Sequence, residues 1–239
     1  MLELRKFSVS LKSKADRYVK EKTEWLQKRG ITVNVDYSTE VIYEDGLGIG
    51  GLFDAYSKTL SVAAGGLHRN WLPTFIHELQ HAKQYLAQTR AWTDVCNLYK
   101  GEDALGVLFN WLDGKEYPDS IVYKAVRLTQ AIELDAERKT VNEMINTSLS
   151  NHIDVLKYTR DANGYIYMHN IIYMFRKWTH EDFTENDIVN KSLPDHFNND
   201  YSKLPMEFYR QAIKYGFKDL NEGDINISNN IKKDIIRCV

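Results

Sequence analysis

Between Asn70 and Gln88 the apolar residues Leu72, Phe75, Ile76, Leu79, Ala82 and Leu86 recur every three or four positions, which is the spacing of one helix face. Asn70 and Pro73 supply helix-start chemistry, so the run predicts one α-helix to about Gln88. Such a helix must lay its apolar stripe on a core and carry its polar residues elsewhere. What it carries is His77-Glu78-Leu79-Gln80-His81. Imidazoles four residues apart point about 40° from each other around a helix and stack on one face. Both can therefore reach one ion. Zinc accepts such nitrogen ligands, and Glu78 lies close enough to take a proton from a metal-bound water without ligating. His77 and His81 are the candidate ligands and Glu78 the candidate base; the competing reading is a solvated helix face that happens to carry them.

Two imidazoles leave an open zinc site one protein ligand short. Apolar spacing through Ile121, Val122, Ala125, Leu128, Ile132, Ala136 and Val141 predicts a second long helix from Ser120 to Ile145. Glu133 and Glu137 are one turn apart on it, whereas Asp135 is turned about 200° from Glu133. Glu133 is the candidate third ligand. Glu137 would then accept a hydrogen bond from the ring nitrogen of His77 or His81 and fix its tautomer. The reverse assignment, Glu137 as ligand, satisfies the same chemistry.

Around these helices the chain reads as α+β and mainly helical. Leu11 to Gly30 is amphipathic, Ile31 to Tyr37 alternates as a strand, and Val41 to Tyr43 continues it or starts another. Leu52 to Ala55 and Thr59 to Ala64 read as a hairpin, giving a small antiparallel sheet against the His-bearing helix. Residues 92–119 read as irregular, 152–177 as helical, 179–200 as a polar stretch and 205–215 as a last helix. The expected division is a metal-binding domain over 1–150 and a helical extension over 151–239.

Gly46-x-Gly48-x-x-Gly51 has the letters of a dinucleotide fingerprint, but it precedes a strand instead of opening a helix, so a mobile flap is the expectation. Tyr165, Tyr167, His152 and His169 are candidates to stabilise an oxyanion, and spacing selects none of them. Trp71, Trp92, Trp111 and Trp178 are assigned to packing.

Composition narrows the function classes. Lys and Arg number 31 against 33 Asp and Glu, so no global basic field exists to hold a phosphate backbone, and nucleic acid is not an expected partner. Cys96 and Cys238 are too few for a disulfide framework or a thiolate zinc site. Charges at Glu3, Arg5, Lys6 and Lys12 interrupt any signal-peptide core, and Tyr165 to Phe175 is about half a bilayer span. Neither secretion by a signal peptide nor a membrane partner is expected.

The order of helix, strands, hairpin, His77-Glu-x-x-His81 helix and later Glu133-x-x-Ala136 helix resembles the small gluzincin metallopeptidases across about Leu11 to Thr140. That resemblance implies zinc as cofactor, Glu78 as base, Glu133 as third ligand and Glu137 as the acid behind a ligand, although the family often has Asp at this last position. It implies hydrolysis of a peptide or protein substrate, and by analogy with zincins an extended peptide could add as a strand along the edge formed by Thr59 to Ala64. Arg160-Asp-Ala-Asn-Gly-Tyr165, Arg176-Lys-Trp178 and Leu193-Pro-Asp195 are similar to uncharacterised zincin-like proteins of tailed bacteriophages. This second resemblance implies a host-cell cytoplasmic or virion setting with phage protein partners. A non-catalytic structural or virion-associated protein on the same fold is the alternative expectation.

Overall fold

The computed structural model describes residues 2–44, 47–178 and 186–216. Cys238, Gly46 and part of the 179–200 polar stretch lie outside them. The fold is α+β and mainly helical. Among the described residues no helix is long and apolar enough to cross a membrane. The chain forms two units, residues 1–89 with 136–155, and residues 90–135 with 156–239.

The first unit opens with α1 (Leu2–Gln27), ended by Gly30 at φ +78, a conformation that glycine adopts without a Cβ clash. Five strands follow: β1 (Thr32–Asp36), β2 (Ile42–Glu44), β3 (Leu47–Ile49), β4 (Gly51–Asp54) and β5 (Thr59–Ala63). β4 and β5 form the expected hairpin, and β2 and β3 pair as a second one. β1 pairs parallel to β5, in register from Thr32↔Thr59 to Asp36↔Ala63. The sheet order is therefore β1-β5-β4, a mixed sheet with β5 in its centre. The expectation that Thr59 to Ala64 is an edge is corrected: the parallel partner covers that side, and β4 is the edge nearer in sequence to the His-bearing helix. Of the glycine run, Gly48 lies in β3 and Gly51 in β4.

The His-bearing helix, α2 (His68–Ala87), starts two residues earlier than Asn70 suggests, with Leu67 at its N-cap and no side-chain cap. Leu72, Phe75, Ile76, Leu79 and Ala82 are buried along it. At about 1.5–3 kcal/mol per large apolar side chain, this stripe is what holds α2 down. Gln88 closes the helix in the left-handed region.

In the second unit the stretch expected to be irregular holds α3 (Arg90–Val95) and α4 (Ala104–Leu112). Asp103 caps α4 by accepting from the Gly106 amide at 2.6 Å. The long helix α5 (Asp119–Asn146) contributes its first part to this unit and its last part to the first. α6 (Val155–Phe175), α7 (Asp187–Lys191) and α8 (Met206–Gly216) complete it. The core gathers Val122, Ala125, Ile166, Ile171, Val189 and Phe208 with their neighbours. Polar residues of α6 hold the irregular segment that follows α7. Asn163 Nδ2 donates to the carbonyls of Pro194 at 2.7 Å and His196 at 3.0 Å, and Asn170 Nδ2 donates to that of Tyr201 at 2.8 Å.

Candidate metal centre

The phase of α2 that buries Phe75, Ile76 and Leu79 turns His77 and His81 to its opposite side, half-buried. Their Nε2 atoms face each other at 3.0 Å. His77 Nδ1 lies 3.2 Å from Oε1 of Glu137, and His81 Nδ1 lies 2.8 Å from Oε1 of Gln84. In the tautomer with the proton on Nδ1, each ring faces an acceptor oxygen behind it and turns a lone pair inward from Nε2. Two lone pairs at that distance repel unless a cation or proton lies between them.

Glu133 completes the group, because one ligand atom each from His77, His81 and Glu133 lies within 4.8 Å of the others. Glu133 is 6% exposed and sits one turn ahead of Glu137 on the uninterrupted α5. At a zinc–nitrogen distance of about 2.0–2.1 Å, two tetrahedral ligands stand about 3.4 Å apart. The imidazoles are thus a few tenths of an ångström from that separation. Two imidazoles and one carboxylate suit zinc with an open fourth position.

Glu78, the expected base, is 8% exposed and outside the metal-ligand group. A Cβ on Gly51 of β4 would meet its Cγ at 3.2 Å, so the edge strand lies directly on its stem. Of the four oxyanion candidates, Tyr167 and His169 are buried and His152 belongs to the first unit. Tyr167 accepts from Asn198 Nδ2 at 2.6 Å. His169 donates from Nδ1 to the Tyr165 carbonyl at 3.0 Å; burial pushes its pKa down against the pull of the Glu133 charge. Trp71 is buried edge-on to Tyr37, and Trp178 stacks on Phe109, both packing roles. Gln84 and Gly51 were not among the expected site residues. The available signal for Gln84 was its place one turn after His81, where a polar side chain reaches the same helix face.

No protein-family model matches this chain, and neither a curated protein nor a solved structure matches it.

Proposed function

We propose that this protein is a zinc-dependent metallopeptidase. The observation that carries the reading is the pair of inward Nε2 atoms 3.0 Å apart, each ring oriented from behind, beside the Glu133 carboxylate. His77, His81 and Glu133 would hold the ion. Bound there, zinc supplies Lewis acidity, which brings the pKa of water near neutrality.

The other steps belong to the chain. Glu78 takes a proton from the attacking water on a carboxylate oxygen and gives it to the leaving amine nitrogen. Its stem is held between α2 and β4, which limits the positions that carboxylate can sample. The side of β4 away from β5 offers main-chain donors and acceptors to an extended peptide, the role first expected for β5.

The test is zinc content by mass spectrometry together with cleavage of a denatured protein by the full chain. Wild type should hold one zinc per chain and cleave; Glu78→Gln should keep the zinc and lose about 100- to 10,000-fold in rate. Retained turnover in Glu78→Gln removes Glu78 as base. Zinc held without any cleavage by wild type favours the non-catalytic alternative.

A further inference from the structure

We infer that Gln84 is a positioning residue of this metal centre, holding His81 as the tautomer that can bind a cation. The inference rests on the zinc reading above and adds to it the residue that orients one ligand. Gln84 Oε1 stands 2.8 Å from His81 Nδ1, and Gln84 is fully buried, at 0% exposure. Bulk water therefore does not compete for that acceptor. Both residues lie on α2, three positions apart, so the contact is set within one helix and needs no other element to form.

Without this acceptor the His81 ring is free to carry its proton on Nε2, the atom that faces His77. Binding a cation would then require a tautomer change and a ring reorientation.

His77 is backed by the carboxylate of Glu137 and His81 by the amide oxygen of Gln84.

The experiment measures zinc dissociation constants by chelator competition for full-length wild type, Gln84→Leu and Gln84→Glu. Gln84→Leu should bind zinc about 10- to 100-fold more weakly, and Gln84→Glu, which restores the acceptor, should bind at least as tightly as wild type. Wild-type affinity in Gln84→Leu overturns the inference, as does Gln84→Glu binding as weakly as Gln84→Leu. If Gln84→Leu does not fold, nitrogen–proton two-bond NMR on metal-free wild type decides. A proton on His81 Nδ1 supports the inference, and a proton on Nε2 overturns it. Wild type that takes up no zinc fails differently, because it removes the metal centre itself.

Discussion

Oε1 of Glu137 lies 3.2 Å from Nδ1 of His77, so the last part of α5 reaches α2 through the back of a candidate ligand. Glu137 is 6% exposed, which keeps this contact out of competition with solvent. Glu137→Ala should weaken zinc binding about 10- to 100-fold, the usual cost of losing the group behind a ligating imidazole. Glu137→Gln keeps an acceptor oxygen and should lose less. Chelator competition on both variants checks the order; equal affinity in Glu137→Ala and wild type would remove Glu137 from the site.

Glu133→Ala should abolish stoichiometric zinc, whereas Asp135→Ala should leave it unchanged, because Asp135 is turned about 200° from Glu133 around the same helix and is not in the ligand group. Metal analysis of the dialysed variants reads this directly. Zinc lost from His81→Ala but retained in Glu133→Ala would move the third ligand to Glu137 or elsewhere.

The site was legible in sequence to the extent that it depends on helical phase. His77 and His81 at four residues, and Glu133 and Glu137 at four residues, share faces whatever the tertiary structure does. The hairpin β4–β5 was legible for a similar reason, since its pairing is local. The position of β5 was not. Its parallel partner β1 is separated from it by three other strands, and nothing in the alternation of Thr32 to Asp36 names the strand it joins. Helices α4 and α7 were also missed. They are short, and their signals are single caps, Asp103 accepting from Gly106 and Asn186 from Ile188. The first unit is assembled from residues 1–89 and 136–155, a discontinuity that no linker composition reveals.

Gly51 is where β4 comes closest to the candidate base. A Cβ there would stand 2.8 Å from Thr74 Cγ2, 3.2 Å from Glu78 Cγ and 3.2 Å from the Ser61 carbonyl oxygen. The Ser61 carbonyl is backbone and Thr74 is stiff at χ1, so little can give way. Gly51→Ala should cost about 1–3 kcal/mol and lower the midpoint of thermal unfolding by several degrees. Adding Thr74→Ser removes the nearest methyl group and should recover part of that loss. A double variant no more stable than Gly51→Ala alone would show that Thr74 is not the obstacle.

Glu143, six residues beyond Glu137 on α5, ties three helices of the first unit together. Its Oε1 accepts from Tyr18 Oη at 3.1 Å and faces Lys22 Nζ at 3.2 Å, while Oε2 accepts from Lys83 Nζ at 3.0 Å. Burial works to raise the Glu143 pKa, but the Lys83 and Lys22 ammonium groups outweigh it and leave the pKa below its ordinary 4.5. Burial also pushes the Tyr18 phenol up, so that group stays a donor throughout the accessible range. A carboxylate whose pKa falls on folding stabilises the native state above its unfolded pKa, and that contribution disappears as pH drops through the folded value. Glu143→Gln should therefore cost about 1 kcal/mol at neutral pH, a figure kept small because the carboxylate is only partly buried and salt screens it. The difference from wild type should shrink steadily below about pH 4.5. Urea unfolding of both proteins across that range measures it; a difference that stays constant down to low pH would mean that Glu143 acts through packing and not through its charge.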